Sequence, residues 1–170
     1  LNLPALDMID KLGVSNTVDW YHKIGITTIE DKSKVGLAIA LGATEIKLLD
    51  ETYAFSVFAN KGVQAGAPAI IPPDNKITPY RELDPVAIVK IIDNQGNLVE
   101  EYQPSYVKIM KEGNAFILSD ILSDYSARAM VFGSVNSLNV RGYRVAGKTG
   151  TASDLKDITT LGYYPKIAVG

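Results

Sequence analysis

The run Tyr143-Arg144-Val145-Ala146-Gly147-Lys148-Thr149-Gly150-Thr151-Ala152 decides the fold, because it can be read as an extended strand or as the entry to a helix. Read as a strand, its side chains alternate faces. Thr149 and Thr151 then share one side, Lys148 adds a fixed positive charge, and Gly150 leaves the backbone open to close approach. Such a segment can hold a carboxylate while backbone N–H groups meet the negative charge that develops on an acyl carbonyl. Read as a helix entry, Gly142 to Thr149 matches the phosphate-loop pattern G-x-x-x-x-G-K-[ST] letter for letter. That pattern needs an apolar strand before its first glycine, whereas Gly142 follows the polar Ser134-Val135-Asn136-Ser137-Leu138-Asn139-Val140-Arg141. It would also put Gly150 in the first helical turn, where glycine costs about 1 kcal/mol relative to alanine. The strand reading is therefore preferred.

As a strand, Lys148-Thr149-Gly150 resembles the K-T-G box of the serine acyl-enzyme family that includes penicillin-binding proteins and class A β-lactamases, whose other boxes are S-x-x-K and S-x-N. The likeness extends outward. Ala146 to Thr151, a polar loop to Asp157, and Leu161-Gly162-Tyr163-Tyr164-Pro165 look like the transpeptidase domain of bifunctional, class A penicillin-binding proteins. So does Leu41-Gly42-Ala43-Thr44-Glu45-Ile46 leading into Tyr53 to Gly62, and Leu1-Asn2-Leu3-Pro4-Ala5 is similar to the residues after the serine of the family's S-x-N box. The resemblance implies an α+β fold: part of a penicillin-binding transpeptidase or β-lactamase-like domain over residues 1–170, running from S-x-N through K-T-G. It places the S-x-x-K nucleophile and the later part of the sheet outside this stretch.

The resemblance also implies a role for each site residue. Lys148 supplies charge near the S-x-N serine and the bound carboxylate. The Thr149 and Thr151 hydroxyls hold that carboxylate, Gly150 lies between them, the Thr151 N–H is an oxyanion donor, and Asn2 orients the substrate amide. The implied reaction is D,D-transpeptidation, in which a serine attacks the penultimate D-alanine carbonyl of a peptidoglycan stem peptide and an amine resolves the acyl-enzyme. β-Lactam antibiotics are the implied inhibitors. No metal and no cofactor is implied, and the parent is expected to work outside the cytoplasm, anchored by an upstream helix. A carboxypeptidase or β-lactamase-type hydrolase, and a non-catalytic penicillin-recognition or scaffold module, stay open. One departure is that Ile158-Thr159-Thr160-Leu161 stands where the family usually places aromatic residues.

The chain also contains look-alike boxes: Ser105-Tyr106-Val107-Lys108 is an S-x-x-K, and Ser134-Val135-Asn136 and Ser137-Leu138-Asn139 are S-x-N. Random placement of these residue types at this composition yields about one S-x-x-K, the false-positive risk of short motifs. Ser105, after Pro104, reads as a helix N-cap, and 134–139 as surface loop.

Composition narrows the alternatives. The 170 residues are 46% hydrophobic and 21% charged, enough for one core, and the net charge of −2 is spread without a basic patch, so no nucleic-acid partner is expected. Cysteine is absent and His22 is the single histidine, which excludes thiol catalysis and disulfides within the chain. His22 reads as an exposed or partly packed residue on a short helix.

Spacing predicts the elements. A helix from Pro4 to Leu12 ends at Gly13, and a second, capped by Ser15 or Asn16, reaches Ile24. Residues 31–42 read as buried loop or short strand. A helix capped by Thr44 and stopped by Asn60-Lys61-Gly62 carries Ile46, Leu49, Tyr53 and Val57 inward, with Phe55 and Phe58 as core. Pro68 to Pro85 is loop, and Val86–Ile92 and Leu98–Tyr102 flank a hairpin turn whose Glu100 and Glu101 are solvated. A helix from Asn114 to about Tyr125 turns Phe116, Ile117, Ile121 and Leu122 inward, and strands 143–151 and 161–169 pair antiparallel.

Overall fold

A computed structural model describes residues 2–69, 81–151 and 157–170. The chain opens with two helices, α1 (Asn2–Leu12) and α2 (Val14–Ile24), hinged at Gly13. Pro4 is tolerated in the first turn of α1, where its missing N–H costs nothing. Neither Ser15 nor Asn16 caps α2. Gly13 holds the N-cap position, and Asn16 instead donates back to the Leu12 carbonyl at 2.8 Å. Gly25, left-handed at φ 114°, ends the helix. A side chain there would strike the Tyr53 ring at 2.8 Å, so the position needs glycine for space as well as for backbone.

Residues 31–42 form neither a strand nor a buried loop: they make two short 3-10 turns, 32–34 and 37–41, of which only Ile39 is buried. The first is capped by the Asp31 carboxylate, which accepts from the Ser33 N–H at 2.9 Å. Val18, Ile29 and Ile39 form one small core between α2 and these turns. Helix α3 (Leu48–Ala59) starts after Lys47, so Thr44 is not its cap. Asp50 and Glu51 in its first turn complement the helix dipole. Tyr53, Ala54 and Val57 face inward, and Ala54 and Val57 join Ile24, Ile26 and Ile109 in the second core, whereas Leu49 is exposed. Phe55 and Phe58 are half-buried and meet Tyr163 edge-on or tilted, with centroids 6.0 and 6.2 Å away.

Strands β1 (Val63–Pro68), β2 (Leu83–Asp84) and β5 (Ser105–Lys108) make a three-stranded antiparallel sheet in the order β2-β1-β5. Strands β3 (Lys90–Ile92) and β4 (Leu98–Glu101) form a separate hairpin with exposed Glu100 and Glu101, and the rest of the proline-rich stretch, 70–80, lies outside the described residues. Ser105 therefore opens a strand, not a helix. Its pairing partner Gly66 is remote in sequence, so local capping signals do not predict it.

Asp50, Thr27 and Arg81 lock α3, the end of α2 and β2 together. Asp50 accepts from the Thr27 N–H and hydroxyl at 2.9 and 2.7 Å and from Arg81 at 2.8 Å, while Arg81 also donates to Asp84 and to the Gly25 carbonyl at 2.7 and 2.6 Å. Beside this clamp Gln64 is 0% exposed, and neither of its amide atoms has a partner among the described residues.

Helix α4 (Glu112–Leu122) is followed by a distinct helix α5 (Tyr125–Phe132) capped by Asp124, where the sequence pattern indicates a single helix to about 125. Its packing is also reversed. Ala115 is buried and Ser119 meets the Tyr163 hydroxyl at 2.9 Å, while Phe116, Ile117 and Ile121 are 65, 58 and 64% exposed. The helix lies against α3 and the following sheet on its small residues, which allow close approach and leave the large ones outside. Strands β6 (Ala146–Thr151), β7 (Ile158–Tyr164) and β8 (Ile167–Val169) form the last antiparallel sheet, in that order. The expected strand 161–169 is broken at Pro165-Lys166, since proline supplies no N–H for a ladder. The architecture is α+β, with helices and antiparallel sheet together.

Candidate functional site

Lys148, Thr149, Gly150 and Thr151 all lie on β6, and no helix starts at Lys148, so the phosphate-loop alternative is set aside. The strand pairs in register with β7: Lys148 with Leu161, Thr149 with Thr160, Gly150 with Thr159 and Thr151 with Ile158. Because the order among the described residues is β6-β7-β8, β6 lies at the edge of their sheet. Half of its backbone donors and acceptors point away from β7, which gives an extended ligand something to bond to.

The two faces of β6 differ. Ala146, Lys148 and Gly150 share the side of Leu161 and Tyr163, which packs on α3. Lys148 is exposed at the outer end of this side, its ammonium donating to the Thr149 carbonyl. It also acts across to α3: burial pushes the Glu51 carboxyl up, and the Lys148 charge partly opposes that. Gly150 has a role its residue type alone does not reveal, since a Cβ there would sit 2.6 Å from the Thr159 hydroxyl of β7. The glycine makes room for its cross-strand partner, and Thr159 takes the space expected to lie open.

Gly147, Thr149 and Thr151 occupy the other face. Behind it lies a cavity of about 240 Å³ bordered by Ile121, Leu122, Arg128, Phe132, Leu138 and the strand from Gly147 to Thr149. Arg128 comes from α5, and nothing in the sequence reading singles it out. It lies twenty residues before Lys148 on a helix that the apolar spacing does not separate from α4.

Asn2 is exposed in the first turn of α1, which packs on α2 and the turn 37–41. His22 is buried rather than exposed, its Nε2–H donating to the Ile29 carbonyl at 2.8 Å, a structural role. Ser105 and Lys108, three apart on a strand, point to opposite faces and cannot work as a pair. Both internal S-x-N triplets lie in the irregular stretch between α5 and β6.

No family model matches the chain. Along its whole length it is 30% identical to penicillin-binding protein 1A of Aquifex aeolicus, and over 97% of its length 29% identical to penicillin-binding protein 1A of Clostridium acetobutylicum. It spans only about a fifth of these curated relatives, 20 and 18% respectively. Among solved structures, 96% of the chain superimposes on 40% of penicillin-binding protein 3 from Mycobacterium tuberculosis, with a TM-score of 0.66 for the apo form and 0.65 for the aztreonam complex, at 19 and 18% identity. A peptidoglycan synthetase from Bifidobacterium adolescentis matches 95% of the chain over 30% of its own length, with a TM-score of 0.55 and 22% identity. At these identities the solved structures speak for the fold.

Proposed function

We propose, from a chain that belongs to the penicillin-binding protein family as a stretch of its transpeptidase-type domain, that the protein containing it is a serine D,D-transpeptidase that cross-links peptidoglycan stem peptides outside the cytoplasm. The observation that carries this reading is strand β6, which presents Lys148, Thr149, Gly150 and Thr151 at the edge of the sheet formed by the described residues. In the proposed reaction the terminal carboxylate of a D-Ala-D-Ala peptide binds the Thr149 and Thr151 hydroxyls near the Lys148 charge. A serine from outside this stretch attacks the penultimate carbonyl, and the Thr151 N–H donates a hydrogen bond to its oxygen as negative charge develops there. D-Alanine leaves, and an amine from a neighbouring stem peptide takes the acyl group, restoring the serine. Asn2 would orient the substrate amide, and residues 1–170 would run from the S-x-N box through the K-T-G box. β-Lactams would acylate the same serine. Among the described residues no helix is long and apolar enough to cross a membrane.

The test is labelling with a fluorescent penicillin, read on a gel. The parent protein is expected to take the label covalently, and the isolated 170-residue chain is expected to stay dark. An adduct on the isolated chain mapped to Ser105 would overturn the placement of the nucleophile, and an unlabelled parent would overturn the function.

A further inference from the structure

The entry to β6 is held by an element that the proposed reaction leaves without a role. The Tyr125 hydroxyl, at the first turn of α5, donates to the Tyr143 carbonyl at 2.9 Å and accepts from the Val145 N–H at 2.9 Å. One phenol thus fixes the backbone on both sides of Arg144, directly before the strand. Arg128, one turn further along α5, lies over the Tyr125 ring at 5.2 Å and donates from Nη2 to the Leu122 carbonyl at 2.5 Å, which ties α5 to the end of α4. Its other terminal nitrogen, Nη1, is buried without an acceptor among the described residues and would stand 3.4 Å from a Cβ on Gly147. The guanidinium therefore abuts β6 one residue before Lys148. Arg144 adds an ion pair to Asp120 of α4.

The cavity behind the strand shows why such a hold matters. From Gly147 to Thr149 one face of β6 borders a half-open pocket of about 240 Å³, so beyond Arg128 and Leu138, which stand against Gly147, side chains pack on it only loosely. β6 itself is held by β7 and by α4, and the hydroxyl of Thr149 lies on the face toward this pocket. A strand held in this way can still tilt, and the hydrogen bonds of Tyr125 with the buttress of Arg128 oppose such a tilt.

We infer that Tyr125 and Arg128 are positioning residues that set the placement of Lys148 and Thr149 for acyl transfer, without touching substrate themselves. The inference rests on the proposed transpeptidase reading for its kinetic consequence and on geometry alone for its structural one. Both are measured in the parent protein. Tyr125→Phe keeps the ring beneath Arg128 and removes both hydrogen bonds, and Arg128→Gln removes the stacked cation. In each variant the first-order constant for acylation by fluorescent penicillin is expected to fall roughly tenfold with little change in the half-saturating concentration, since small misplacements cost rate more than binding. Amide exchange should quicken in peptides covering 143–151 and stay unchanged in those covering 158–169. Wild-type acylation and exchange in Tyr125→Phe would overturn the inference. So would loss of protection throughout the chain, which would make the role one of general stability. A wild-type parent that takes no label would refute the transpeptidase reading, and the exchange comparison would still decide the brace.

Discussion

At the scale of single residues, two side chains contrast in how they show themselves. Lys148 is conspicuous in the sequence because it stands in a short box of familiar chemistry, and the structure leaves its ammonium exposed on β6. In the parent, Lys148→Ala is expected to slow penicillin acylation by about 10² to 10³, the usual effect of removing one preorganised electrostatic partner. Stopped-flow labelling measures it, and an unchanged rate would remove Lys148 from the mechanism. Gln64 gives no sign in the sequence, yet it is fully buried with both amide atoms unpaired among the described residues. An unsatisfied buried polar group costs about 1–3 kcal/mol. Gln64→Met, similar in shape and without the amide, is therefore expected to stabilise the chain by about 1 kcal/mol in urea unfolding, and a loss of stability would point to a bond the amide makes with a buried water. Arg81→Ala should act the other way. It leaves the buried Asp50 carboxylate without its cation, which typically costs about 3–5 kcal/mol.

At the scale of elements, legibility tracks the range of the interactions that decide each one. Helices α1, α2 and α3 are readable because their apolar spacing and glycine stops are local, although their caps are not: Gly13 and Lys47 hold the positions expected of Ser15, Asn16 and Thr44. Strand β6 and its pairing with β7 are readable from alternation and a short polar connection. Elements set by distant partners are not. Ser105 joins a strand because Gly66 lies opposite it, and α4 turns Ala115 inward because α3 and β6 leave space only for small residues. The site shows the same division. Its chemical groups are adjacent in sequence and stand out there, while Tyr125 and Arg128 reach it from a separate helix. The aromatic contact of Phe55 and Phe58 with Tyr163 joins α3 to the site's sheet. Tyr163→Ala is expected to cost about 3–5 kcal/mol, as for other large aromatic deletions, and to lower acylation with it, which thermal unfolding and labelling of the same sample would measure.

At the scale of the whole molecule, the Asp50–Arg81 clamp makes stability depend on pH at both ends. Burial works to raise the Asp50 carboxyl, but hydrogen bonds from Thr27 and Arg81 and the Arg81 charge outweigh it and hold the group below its ordinary value. A depressed carboxyl contributes stability that is complete above its unfolded value, about 3.9, and is lost as pH falls through the folded one. Wild-type chain should therefore weaken below about pH 4, whereas Asp50→Asn should start less stable at neutral pH and show a shallower acid slope by circular dichroism. Tyr53 governs the alkaline side: burial, partly countered by Arg81, pushes its hydroxyl up to about 12. Its stabilisation is complete below about pH 10 and declines as pH rises toward the folded value, a slope that Tyr53→Phe should flatten. The β3–β4 hairpin is a separate two-stranded element. Its Val89 and Tyr102 are joined at the base by a 3.0 Å hydrogen bond, its tip is closed by the Asp93 carboxylate, and its two strands pack chiefly on each other. The chain leaves the body and returns to it at one place, so the excursion is an insertion port. An epitope spliced between Asn94 and Gln95 breaks only the tip bonds of Asp93 and should be carried with little change in melting temperature or penicillin labelling, and lineages sharing this domain would be free to lengthen, shorten or re-decorate that arm while β6 stays as it is.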